Sequence, residues 1–204
     1  MSQPSPTIHH ETQHTVSLIL PHLAGMSSLL DVGCGSGWVA DRLAQQTSLA
    51  ISTVDIGDYR AVATPDFHVF DGVRLPFPDK SIDVGLFSFV LHHVPDELKP
   101  LLIAEAKRVC RRRILVIEDT PSTWFDRWAS QRHGESFRRK IRSHERFGFL
   151  DREQWMRLFS LLDLRAIKAD RLSRWCRSIW QPFARTAFVL DVDRFARQRV
   201  PVSP

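Results

Sequence analysis

Three glycines at alternate positions follow an acid at the end of an apolar run: Leu29-Leu30-Asp31-Val32-Gly33-Cys34-Gly35-Ser36-Gly37. Glycine lets a backbone turn sharply and lets a ligand approach where a Cβ would stand in the way. A strand that turns straight into a helix also aims unpaired amides, and the positive end of the helix, at whatever lies above it. These residue types suit a nucleotide-containing cofactor. The dinucleotide pattern G-x-G-x-x-G would need a glycine at position 38, where the chain has Trp38. The pattern here is instead D-x-G-x-G-x-G.

Further candidates follow in order along the chain. Asp55 closes a second apolar run and lies 18 residues beyond Gly37. A carboxylate there can accept both hydroxyls of a ribose, and Ile56 follows it. Asp71-Gly72 comes after a third run, where an acid can take the amino group of an adenine. Phe87 and Ser88 end a fourth run, and His92-His93 stand just beyond it at the mouth of the site. Histidine titrates near neutrality and can take a proton from a substrate hydroxyl. A ring bonded to nearby backbone is the competing role for the pair. Cys34 lies between two glycines as a small filler of the loop, with no nucleophilic role.

From about residue 29 to 119 this succession resembles the class I S-adenosylmethionine-dependent methyltransferases, with D-x-G-x-G-x-G as their first motif. The resemblance implies a doubly wound, Rossmann-like α/β sheet of seven strands, mostly parallel with the last strand antiparallel. It implies S-adenosylmethionine lying across the carboxyl ends of strands one, two and four. Asp31, Gly33, Cys34, Gly35 and Gly37 would then border the methionine half. Asp55 and Ile56 would hold the ribose side, and Asp71 and Gly72 the adenine. Leu86 and the residues after it, Phe87 and Ser88 among them, would face the sulfonium side. Of the two histidines, His93 is the one the family's single histidine aligns with. No metal site is implied.

The elements that must position these residues are read from hydrophobic period and punctuation. Residues 16–23 form a short helical patch ended by Gly25. Strands are expected at 28–32, 50–55, 67–70, 82–87, 113–117, 164–168 and 184–192. Trp38, Val39, Leu43 and Ala44 give the first crossover helix its apolar face. Asp96 is expected to cap another helix, with Leu98, Leu101, Leu102 and Ala106 on one side. Asp151 with Gln154 reads as a capping box ahead of Trp155, Leu158, Phe159 and Leu162. Alternating strand and helix signals of this length mean βαβ units and a parallel sheet.

Length fits one domain over residues 1–204, with a flexible tail at 1–15 and a substrate-lid insert at 120–150. In that insert Trp124 and Trp128 stand one helical turn apart, and Arg138 and Arg142 share a face. An aromatic wall with an arginine stripe suits a small-molecule or lipid-like acceptor, anionic in one reading, or contact with a membrane surface. Residues 1–100 hold five Lys and Arg against eleven Asp and Glu, whereas 101–204 hold 23 against 12. That basic half keeps a nucleic-acid acceptor as the alternative, though no RNA-binding module is appended and no Asn-Pro-Pro-Tyr or Pro-Cys segment occurs. A S-adenosylmethionine-binding accessory protein without turnover is the other alternative. Three widely spaced cysteines and a polar N-terminus point to the cytoplasm.

Overall fold

The computed structural model describes residues 6–124, 126–128, 148–171 and 184–192. Helix α1 (Pro6–Ile19) leads through a short 3-10 turn to β1 (Ser28–Val32) and α2 (Trp38–Gln46). Strands β2 (Ala50–Asp55), β3 (Phe67–Val69) and β4 (Ile82–Ser88) follow, then a 3-10 turn at Leu91–His93, α3 (Lys99–Val109) and β5 (Cys110–Asp119). Helix α4 (Arg152–Leu161), β6 (Arg165–Arg171) and β7 (Arg185–Asp191) complete the described elements. The seven strands lie in the order β3-β2-β1-β4-β5-β7-β6. The first five pair in parallel, and β7 runs antiparallel to both β5 and β6.

The sheet is doubly wound because its strands are apolar on both sides. Alternate residues of the central strands, among them Leu29, Val84, Leu86, Leu115, Ile117 and Val189, pack with Val16 and Ile19 of α1 and Ala40 and Leu43 of α2. Leu30, Val32, Val116 and Phe188 face the other way, against Ile103 and Ala106 of α3 and Trp155 and Phe159 of α4. The period-two alternation of a strand is what sorts these residues between two cores. Full burial of one such side chain contributes about 1.5–3 kcal/mol.

Several local readings change. α1 begins at Pro6, inside the segment read as a flexible tail, and its apolar residues close the α2 face of the sheet. Asp96 does not cap α3: Leu98 is the N-cap and makes no side-chain cap bond. Asp96 pairs instead with the Lys99 ammonium, which is buried and also donates to the Gly148 carbonyl at 2.9 Å. Leu101 faces outward, while Leu102, Ile103 and Ala106 fill the core. β5 starts three residues early because Arg111 reaches back to the buried Asp83 of β4 at 2.6 Å. That guanidinium chiefly holds the Asp83 carboxyl below the usual range. The Asp151–Gln154 capping box forms as expected. Among the described residues no helix is long and apolar enough to cross a membrane.

Candidate cofactor and methyl-transfer site

The carboxyl ends of β1, β2, β4 and β5 share one edge, and the glycine loop leaves β1 there. The Gly33 and Cys34 amides both donate to the Val54 carbonyl, at 2.8 and 3.1 Å, so the loop is tied to the end of β2 as it turns. Gly35 has φ +52°, the left-handed region, and a Cβ built on it would meet nothing within 4 Å. The space beside Gly35 is therefore open, as a ligand approaching the backbone requires.

Two acids stand against this loop. Asp31 is 2% exposed, and among the described residues no donor reaches its carboxylate. Burial, and then the neighbouring Asp55, push its pKa up to about 7. A buried carboxylate in that state favours a cationic or hydrogen-bond-donating partner. Asp55 accepts the Gly35 N–H on Oδ2 and the Ile56 N–H on Oδ1, each at 2.8 Å. Burial raises its pKa, and the two amides oppose that rise. Each carboxylate oxygen keeps a further lone pair for a second donor.

Beyond Asp55, Ile56 is 62% exposed, and a Cβ on Gly72 would stand 3.3 Å from its side chain. Ile56 and Gly72 thus flank one shallow apolar edge. Asp71 closes its own turn: Oδ1 accepts from Arg74 N–H at 2.7 Å and Val73 N–H at 2.8 Å. Those amides, Arg74 first, hold its carboxyl below the usual range.

At the exit of β4 the structure departs from the sequence reading. Phe87 is fully buried in the α3–α4 core, so its side chain does not line the site; Ser88 is half-buried. His92 is buried rather than open to the site mouth. Its Nδ1 lies 2.7 Å from Glu118 Oε2, and its ring stacks on Phe149 at 5.0 Å. Burial works to lower the His92 pKa, but the Glu118 carboxylate, by charge and hydrogen bond, brings it above the ordinary value. His93 is half-buried, with its ring 4.1 Å from that of His92. Glu118 also accepts the Leu91 N–H at 2.7 Å. Its role was missed because only its place at a strand end is visible in sequence. Beside it, Asp119 accepts from Arg185 Nε at 2.9 Å, and Arg185 lies over the Phe89 ring. Trp124 and Trp128 are exposed; Arg138 and Arg142 lie outside the described residues.

Residues 30–117 match the family described as a methyltransferase domain. The 27-O-demethylrifamycin SV methyltransferase of Amycolatopsis mediterranei (strain S699) is 33% identical over 105 residues, which is 46% of this chain and only 38% of that protein. Magnesium protoporphyrin IX methyltransferase of Synechocystis PCC 6803, with bound S-adenosylhomocysteine, superposes with a TM-score of 0.63. It is 16% identical, over 94% of this chain and 89% of that one. Geranyl diphosphate C-methyltransferase of Streptomyces coelicolor A3(2) gives 0.67 at 14% identity, over 89% and 76% of the two chains. A 4+2 cyclase shares the fold equally well, with a TM-score of 0.67 at 16% identity, over 87% of this chain and 79% of that one.

Residues 30–117 are thus similar to a methyltransferase domain, and the fold is shared with solved S-adenosylmethionine-dependent methyltransferases. S-Adenosylmethionine is the cofactor of this class, and the residues present fit it. Asp31 offers a buried, donor-free carboxylate to an ammonium, Asp55 retains lone pairs for ribose hydroxyls, and Gly35 leaves the approach open.

Proposed function

We propose that this protein transfers a methyl group from S-adenosylmethionine to a small-molecule or lipid-like acceptor, at oxygen or carbon. The observation that carries the reading is the donor-free buried Asp31 beside an Asp55 that already grips the Gly35 amide. The donor sulfonium is chemically activated before it binds. The chain's task is therefore to hold donor and acceptor in line and dry, which can supply roughly 7–11 kcal/mol of the barrier. His93, the less buried of the histidine pair, is the group proposed to take a hydroxyl proton in an O-directed reaction. His92 supports the turn from beneath, tied to Glu118.

The named relatives act on a rifamycin, a magnesium porphyrin and a prenyl diphosphate, which supports a small-molecule acceptor here. Exposed Trp124 and Trp128 are proposed to contribute an apolar wall on the acceptor side. A second reading, cofactor binding without methyl transfer, is favoured by the cyclase that shares the fold. Incubation with methyl-labelled S-adenosylmethionine and metabolite extracts separates the two. Label moving into an extractable small molecule supports transfer. Tight S-adenosylhomocysteine binding with no label transferred supports the second reading, and label entering only RNA overturns both.

A further inference from the structure

Phe89, the first residue after β4, has φ +54°. A residue with a Cβ holds this left-handed conformation only where its surroundings impose it. Three contacts do so here. The Phe89 N–H donates to the Ile117 carbonyl at 2.9 Å. Its ring lies beneath the Arg185 guanidinium, whose Cζ is 4.6 Å from the ring centroid. That guanidinium is in turn oriented by Asp119, its register partner across β5 and β7, through the 2.9 Å Nε–Oδ1 bond.

The next residue, Val90, packs where Gly33 lacks a side chain: a Cβ on Gly33 would stand 2.9 Å from Val90 Cβ and closer still to Cγ2. Beyond Val90, the Leu91 N–H is held by Glu118. Val90 is thus the middle of a turn clamped on one side by Arg185 and Phe89 and on the other by Glu118, and it rests directly on the cofactor loop. Asp55 holds the same loop from the opposite side, at Gly35.

We infer that Arg185, on a strand separated from β1 by β4 and β5, is a positioning residue for the cofactor loop, acting through the backbone of Phe89 and the side chain of Val90. This rests on the reading that the loop binds S-adenosylmethionine. Arg185 itself need not touch the cofactor. Without the guanidinium over its ring, Phe89 relaxes toward ordinary backbone angles, Val90 moves off Gly33, and the loop loses its support on the β4 side.

Calorimetric titration of the full chain with S-adenosylhomocysteine tests this. Arg185→Ala is expected to weaken binding about tenfold, the scale set by strain at one left-handed residue. Arg185→Lys, which keeps the charge but not the flat fork, is expected to fall between, and serves if the alanine variant does not fold. Phe89→Gly adopts the left-handed conformation freely, so it is expected to keep parental affinity within about threefold. In that background Arg185→Ala should cost nothing more. Undiminished binding in the single Arg185 variants overturns the inference, as does an equal loss with and without Phe89→Gly. A parent that binds no S-adenosylhomocysteine overturns the cofactor reading itself, and the inference with it.

Discussion

Asp55 Oδ2 accepts the Gly35 N–H at 2.8 Å, joining the end of β2 to the middle of the glycine loop across 20 residues of chain. The residue assigned to the ribose therefore also shapes the loop. Asp55→Ala is expected to cost roughly 1.5–3 kcal/mol of S-adenosylhomocysteine affinity, the scale of hydrogen bonds to a charged group. A 2′-deoxy analogue should bind the parent poorly and lose little more on the variant. Calorimetry of the four combinations checks it, and additive losses would show that Asp55 does not touch the ribose.

Gly35 and Gly33 make a contrasting pair. Gly35→Leu enters open space, so the fold should survive with a loss of about 1–2 kcal/mol from the left-handed backbone. Cofactor affinity should fall on the order of 100-fold, because the side chain occupies the ligand's approach. Gly33→Ala drives a Cβ into Val90 and should lower the melting temperature as well as affinity. Thermal melts with and without S-adenosylhomocysteine distinguish the two patterns.

Asp31 is expected to make cofactor binding depend on pH. Its carboxyl sits at about 7 in the ligand-free fold, above its ordinary 3.8, so between those values the folded state holds a proton that the unfolded state has released. Stability of the ligand-free protein should therefore fall as pH rises from about 4 to 7 through this group. Asp31→Asn should flatten that part of the profile. The ligand ammonium favours the ionised form, so parental affinity should rise with pH through 7, with proton release below it. Calorimetry in buffers of different ionisation enthalpy reads that proton directly.

The His92–Glu118 pair acts in the same direction, in a higher pH window. The folded-state pKa of His92 is raised, so its contribution is present below about 6.5 and is lost as pH rises through the folded value. Glu118→Ala removes the acceptor of both the His92 ring and the Leu91 amide and should cost about 3–5 kcal/mol in denaturant unfolding. In Glu118→Gln the His92 ring should titrate lower than in the parent, as followed by NMR. An unmoved His92 titration would remove Glu118 from this role.

The sequence by itself determined the parts whose physics is local. The strands' period, the left-handed glycines of the loop and the Asp151–Gln154 box all depend on residues within a few positions of one another, and each occurs close to where the spacing placed it. The antiparallel β7 followed only through family resemblance, since nothing in the period of residues 184–192 states their direction, and the order of strands came from the tertiary structure. Tertiary structure alone decided the rest. His92 and Glu118 are 26 residues apart and Asp119 and Arg185 are 66 apart, so only the pairing of β4, β5 and β7 brings them together. Phe87 and Phe89 are the same residue type in the same run, yet one fills the core and the other bends the chain out of it. Which of them faced the site depended on where β4 ends against β5, because a strand residue's side is set by register and its freedom to turn by the neighbours that clamp it.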